Sequence, residues 1–239
     1  MGSNLKQGLL SGLAFGAVLF ASQALAKDDI TVAMQLEPPH LDPTSAAAQA
    51  IDSVVYSNIF EGLTRFMGDG SIVPGLATSW EISDDGRVYT FKLHDGVKFH
   101  DGTTMDGEDV KFSLDRARAE DSANAQKALF GGIKDVTVVD PLTVQVTLNE
   151  PNGNFLFNMA WGDAVIVAPE SIETIKTNPI GTGAFKFANW VQGDRIDLAR
   201  NADYWGAQPA LAKATFKFIS DPTAAFAAVM AEDVDVFSG

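Results

Sequence analysis

The sequence predicts a mixed α/β or α+β protein, and three observations carry that reading. Short segments alternate apolar and polar residues with the period of a strand, while others repeat apolar residues at spacings of three and four, as a helix does. Several alternating segments come in pairs joined by tight turns. Paired neighbours of this kind make antiparallel hairpins, so the pattern departs from a purely doubly wound parallel sheet. No internal repeat and no low-complexity linker interrupts it.

The elements follow in order. Ile30-Thr31-Val32-Ala33-Met34 alternates and reads as the first strand. Pro38, Pro39 and Pro43 then remove three N–H donors and prevent its continuation. From Ala46 to Leu63 the pattern turns helical, with Ile51, Val54, Val55, Ile59 and Leu63 at spacings of three and four. Val88 to Leu93 alternates between Asp-Gly turns, with Tyr89, Phe91 and Leu93 on one face. Val97-Lys98-Phe99 reads as a further short strand, ended by Asp101-Gly102. Asp106 to Ala117 reads as a helix. Asp106, Glu108 and Asp109 crowd its first turn, where the helix dipole favours acids, and Val110, Leu114 and Ala117 form its buried stripe.

Val136 to Leu148 is a hairpin turning at Asp140-Pro141. Pro169 to Lys176 predicts a short helix with Pro at its first position. Phe185 to Trp190 and Arg195 to Leu198 form a second hairpin around Gln192-Gly193-Asp194. Thr215 to Ile219 is a strand. Asp221 caps a helix begun by Pro222 and striped by Phe226, Val229 and Met230, and Val234 to Phe237 begins a last strand.

Composition bounds the function. Of 239 residues, 46% are hydrophobic and 20% charged, ordinary globular usage that excludes a disordered chain, a coiled coil or a collagen-like rod. Seventeen basic against 31 acidic residues leave a formal charge of −14. Phosphate backbones and anionic lipid surfaces repel such a chain, so nucleic acid is not an expected partner. With no Cys, there is no disulfide, thiol nucleophile or thiolate metal site. Residues 1–26 combine Lys6, an apolar run from Leu9 to Ala21 and a small-x-small ending at Ala24-Leu25-Ala26, with Lys27-Asp28-Asp29 abruptly charged behind it. That is the order of a cleavable signal peptide and predicts export to a periplasm.

Catalytic motifs are missing. The sequence has no Gly-x-Ser-x-Gly elbow, no His-Glu-x-x-His and no phosphate-binding Gly-Lys loop. No enzyme activity, cofactor or metal is expected. Gly181-Thr182-Gly183 lacks the third glycine of a dinucleotide fingerprint. His94-Asp95-Gly96 and His100-Asp101-Gly102 resemble a repeated metal pair, but two Asp-Gly turns bounding one short strand, with the His residues solvated, explain them better. A stable site needs three or four ligands, and His40 is the one remaining imidazole. Among the aromatics, Phe130 before Gly131-Gly132 and Trp161 before Gly162-Asp163 lie beside glycines at element ends. There they either wall a binding cleft or fill a contact under a loop.

Three stretches together resemble the extracytoplasmic solute-binding proteins of ABC importers, family 5, the peptide- and nickel-binding type. The first is Leu41-Asp42-Pro43 followed by Ile59-Phe60-Glu61-Gly62-Leu63. The second runs from Pro74-Gly75-Leu76-Ala77-Thr78-Ser79-Trp80 through Ser83-Asp84-Asp85-Gly86 and Tyr89-Thr90-Phe91-Lys92-Leu93 to Val97-Lys98-Phe99-His100-Asp101-Gly102. The third runs from Gly181-Thr182-Gly183-Ala184-Phe185-Lys186-Phe187 to Asn201-Ala202-Asp203-Tyr204-Trp205-Gly206.

The resemblance implies a type II periplasmic-binding-protein-like, bilobal fold that closes on an oligopeptide or similar solute and delivers it to an inner-membrane ABC permease, as a monomer and without catalysis. It covers the amino-terminal part of that fold only. The first lobe is expected with the second absent, so the chain reads as a truncation, with association of copies possible and a non-binding fragment as one alternative. A nickel or metal-chelate binder is the other. The expected division is a core sheet from residues 27–50 and 178–239, with 51–177 as an inserted subdomain. The resemblance also implies that the loop after Leu41-Asp42-Pro43 borders the ligand. There Ala46, Ala47 and Ala48 would let the backbone approach and Gln49 could donate or accept, although ordinary helix entry fits the same residues.

Overall fold

The computed structural model describes residues 27–238, so the expected leader lies outside the described residues. The chain is mixed α/β, as the sequence predicts. A five-stranded sheet is built from β1 (Asp29–Met34), β8 (Phe185–Val191), β9 (Arg195–Arg200), β10 (Lys213–Phe218) and β11 (Val236–Ser238), in the order β11-β1-β10-β9-β8. β1 runs parallel to both β10 and β11, whereas β10, β9 and β8 pair antiparallel. The last crossover passes through α4 (Pro222–Met230), capped by Asp221, whose Oδ1 accepts from Ala224 N at 2.8 Å.

The connection from β1 to β8 carries everything else: α1 (Gln49–Val55), the ribbon of β2 (Thr64–Phe66) and β3 (Ile72–Pro74), a four-stranded antiparallel sheet, α2 (Gly107–Arg118) and a single turn, α3 (Phe155–Asn158). The four-stranded sheet has the order β4 (Ala77–Ile82), β5 (Val88–Leu93), β7 (Thr143–Leu148), β6 (Ile133–Asp140). Its hairpin β6–β7 turns at Pro141-Leu142, with Val136 opposite Val146. α2 begins in a reciprocal cap: Asp106 accepts from Glu108 N at 2.8 Å, and Asp109 accepts from Asp106 N at 2.9 Å. A cap of this kind is worth ~1 kcal/mol.

Each sheet has its own core, and one segment serves both. Ala164, Ile166 and Ala168 pack with Phe91, Leu114 and Val146, while Val165 and Val167 pack with Met34, Ile51 and Ile196. The run Ala164-Val165-Ile166-Val167-Ala168 is therefore apolar without alternation because both of its faces are buried. Residue 51, where the inserted subdomain was expected to begin, falls inside α1, and the buried residues of that helix belong to the core of the five-stranded sheet.

Several elements differ from expectation. The helix read from Ala46 to Leu63 is confined to α1. Gly183 N and Phe185 N donate to the carbonyls of Ile59 and Asn58, both at 2.9 Å, and Ser57 turns left-handed at φ 59°. Tertiary hydrogen bonds thus claim the carbonyls that helical continuation would need, although Ile59 and Leu63 stay buried. These contacts also explain Gly181-Thr182-Gly183: a Cβ at Gly181 would sit 2.0 Å from the Ile59 carbonyl oxygen, and one at Gly183 2.2 Å from that of Asn58. Val97-Lys98-Phe99 makes only a bridge from Lys98 to Thr104, and Pro169-Glu170-Ser171 is a 3-10 turn rather than a longer helix. β2, β3 and β4 escape the sequence reading because they are short or largely exposed and lack an apolar alternation.

Candidate functional site

The loop after β1 is fixed from beneath. Leu41 is fully buried, and its N–H donates to the Lys176 carbonyl at 2.8 Å. Asp42 is also buried. Its Oδ1 accepts from Thr44 N at 2.9 Å and from Thr44 Oγ1 at 2.6 Å. Arg116 reaches across from α2, 3.4 Å from Asp42 Oδ2 and hydrogen-bonded to Thr44 Oγ1. Thr44 and Arg116 open on a cavity of about 260 Å³ shared with Ser122 and Ala123. The next residue, Ser45, has a buried Oγ without a partner among the described residues. Ala46 and Ala48 are half-buried, Ala47 and Gln49 exposed, so small side chains leave the backbone of this loop approachable.

α1 carries the surface onward. Gln49 is its first residue, and one turn later the Asp52 carboxylate lies so close to Gly162 that a Cβ there would stand 2.6 Å from Asp52 Oδ1. At the end of α1, Tyr56 donates its hydroxyl to the Ala160 carbonyl. Trp161 follows Ala160 directly. It is 37% exposed and meets Phe66 and Phe157 edge-on, with centroids 6.5 and 6.1 Å away. Asp163 follows at 7% exposure, and Asn124 donates to its carbonyl at 2.9 Å. Burial, aided by the charge of Asp52, pushes the Asp163 carboxyl up to about 6. Burial alone raises Asp52.

Of the expected site residues, Ala46, Ala47 and Ala48 lead into α1 and Gln49 begins it, while Trp161 stands next to Gly162, which lies against Asp52 of that helix. Phe130 is a correction. It is completely buried in the core of the four-stranded sheet, where Gly131 and Gly132 end a turn over it, and it presents no surface to a cleft. Sequence reasoning also missed Arg116, Asp52 and Asp163. Their signal was weak, since an acid before the apolar run Ala164–Ala168 looks like an ordinary turn residue.

A second polar cluster lies elsewhere. The Glu61 carboxylate accepts from Thr182 Oγ1 at 2.8 Å, Tyr204 OH at 2.8 Å and Trp205 Nε1 at 2.9 Å. Burial raises its pKa, and the three donors pull it back. His94 packs at a tilt against Trp205 with centroids 4.4 Å apart, beside a cavity of about 440 Å³. These three bonds tie the 201–206 loop to Glu61, and Arg65 also lines the cavity. His100 is half-buried between Gly183 O at 3.0 Å and Gly181 N at 3.4 Å, and desolvation pulls its pKa down to about 4. His40 Nδ1 accepts from Asp42 N at 3.2 Å. The three imidazoles are thus held in separate settings, and among the described residues no His, Asp and Glu side chains gather into a metal-holding group of three or more.

Comparison with known proteins decides the family. The model of bacterial extracellular solute-binding proteins, family 5, matches residues 71–239. The chain belongs to family 5 of the extracellular solute-binding proteins. Among curated family members it is 35% identical over 210 residues to the glutathione-binding protein GsiB of Pectobacterium atrosepticum, covering 86% of this chain and 41% of that protein. Among solved structures, the periplasmic binding protein DppA of Helicobacter pylori, in complex with the peptide STSA, superposes with a TM-score of 0.83 at 28% identity, covering 88% of this chain and 46% of that one. NikZ of Campylobacter jejuni, in complex with Ni(L-His), gives 0.79 at 29% identity, covering 87% and 42%. This chain therefore spans about two fifths of the length of the curated family 5 relatives it matches.

Proposed function

We propose that this family 5 chain meets the solute on the face formed by the 44–49 loop, α1 and the 161–163 turn, as part of an exported binding protein that captures oligopeptides or similar solutes for an ABC permease. One observation carries the reading. A backbone stretch of small residues, stiffened below by the Asp42–Thr44–Arg116 linkage, leads into α1, whose Asp52 lies against Gly162, the neighbour of the partly exposed Trp161. Approachable backbone supplies hydrogen bonds to a peptide main chain, and Trp161 supplies apolar contact for a side chain. Relatives that bind glutathione, a peptide or a nickel–histidine complex bracket the solute size. The separated settings of His40, His94 and His100 favour the peptide-like end of that range. Export would end in cleavage after Ala26, in the small-x-small context of Ala24 and Ala26.

Calorimetric titration of the chain with a mixture of short peptides, and separately with Ni²⁺, tests the reading. Heat from peptides and none from nickel is expected. Nickel heat without peptide heat would overturn it.

A further inference from the structure

The cavity of about 440 Å³ beside Glu61 shares no lining residue with the face proposed for the solute. Glu61, Arg65, Pro74, His94, Tyr204 and Trp205 are among its walls. Its volume falls within the range of small-molecule sites.

The aromatic walls are fixed in advance. Glu61 accepts from Tyr204 OH at 2.8 Å and from Trp205 Nε1 at 2.9 Å, so one carboxylate orients both rings. Their centroids stand 5.4 Å apart, and His94 tilts against Trp205 at 4.4 Å. Gly206 closes the turn tightly on the phenol: a Cβ there would stand 2.8 Å from Tyr204 Cε1. Rings held this way have little freedom left to lose when a ligand enters.

The charge comes from Arg65, exposed on β2. Every other arginine of the chain has a partner. Arg87 pairs with Glu150, Arg116 with Asp42, Arg118 with Asp115 and Arg195 with Asp197, and Arg200 donates to the Pro209 carbonyl. The Arg65 guanidinium makes no hydrogen bond or ion pair among the described residues, and it lines this cavity. A guanidinium offers paired N–H groups that match a carboxylate. The His94 ring nitrogens are also without a hydrogen bond among the described residues, and burial lowers the pKa of that ring, so at neutral pH it adds one donor and one acceptor. A cation finds less here. The carboxylate of the lining, Glu61, already accepts three hydrogen bonds. A chain of charge −14 repels anions at large, so an anion held here is held by Arg65.

We propose that this cavity is a second binding site, for a small flat anion of the aromatic or heteroaromatic carboxylate class. Arg65 takes the carboxylate, and Trp205, Tyr204 and His94 wall the ring. The site stands apart from the proposed solute face, and its failure would leave that reading untouched.

The test is chemical-shift mapping of the chain with four probes: benzoate, benzyl alcohol, benzylamine and acetate. Benzoate should move the Trp205 indole N–H and the amides of Arg65, His94 and 204–207. It should bind at least about tenfold more tightly than each of the other three. The amides of 44–49 and 161–163 should stay in place. Arg65→Gln, at an exposed position, should reduce benzoate to the affinity of benzyl alcohol, and Arg65→Lys should restore part of the difference. Should Arg65→Gln fail to fold, the ranking of the four probes decides alone. Benzoate binding no tighter than the alcohol, a preference that survives Arg65→Gln, or shifts centred on 44–49 and 161–163 would overturn the proposal.

Discussion

Asp163→Asn should stabilise the protein at neutral pH and lose that advantage in acid. Burial and the charge of Asp52 push the Asp163 carboxyl up to about 6, from an ordinary aspartate value of about 3.9. A raised carboxyl pKa means that the folded state holds its proton more tightly than the unfolded state. The favourable contribution is complete below the unfolded value and is lost as pH rises through the folded one. At about 1.4 kcal/mol per pH unit, ionising Asp163 costs the fold up to about 3 kcal/mol by pH 7.5. Asparagine cannot ionise and does not carry this cost. Comparing the two proteins at about pH 4 and about pH 7.5 cancels packing differences, which are the same at both. It also cancels Asp109, raised to about 6 by its own burial, because both proteins contain it. Thermal unfolding should therefore show a gap in Tm between variant and parent that widens by about 3–10 °C from acid to neutral pH. A gap of equal size at the two pH values, or one that shrinks toward neutral, would refute the argument that this carboxylate is buried without compensation.

Further outcomes follow from the same contacts. Arg116→Ala strands the buried Asp42 carboxylate with only Thr44 to serve it, and urea unfolding should show a loss of ~2–4 kcal/mol, most of it recovered when Asp42→Asn is added. Gly181→Ala places a Cβ 2.0 Å from a backbone oxygen and should prevent accumulation of folded protein. Gly193→Ala, at φ 75° in open space, should cost only ~1 kcal/mol. Phe226 and Met230 of α4 and Val236 and Phe237 of the edge strand β11 are all exposed, so light scattering should show self-association that Met230→Lys with Phe237→Lys reduces.

The sequence was most readable where one period ran uninterrupted. β5 and β7 alternate because one face is buried, and α2 shows both its stripe and its cap. Legibility failed where distant contacts outvote local pattern. The spacing of Ile59 and Leu63 is helical, yet the backbone of 183–185 takes the carbonyls of 58 and 59. Phe130 shows the same limit at the level of the site, since an aromatic beside glycines has one sequence signature whether it walls a cleft or closes a core. The Asp52–Asp163 pair was invisible for a different reason. Its meaning depends on an absent partner, and in a chain of charge −14 two more acids raise no signal.

The central claim is that the solute docks on the 44–49 loop, α1 and the 161–163 turn. Amide chemical-shift mapping with glutathione and mixed short peptides tests it most directly, with Ala47→Glu, at an exposed position, as the blocking variant. The account predicts shifts concentrated in 44–52 and 161–163 that Ala47→Glu weakens while the rest of the spectrum stays intact. Shifts centred instead on Glu61, Tyr204 and Trp205, or a response indifferent to Ala47→Glu, would contradict it.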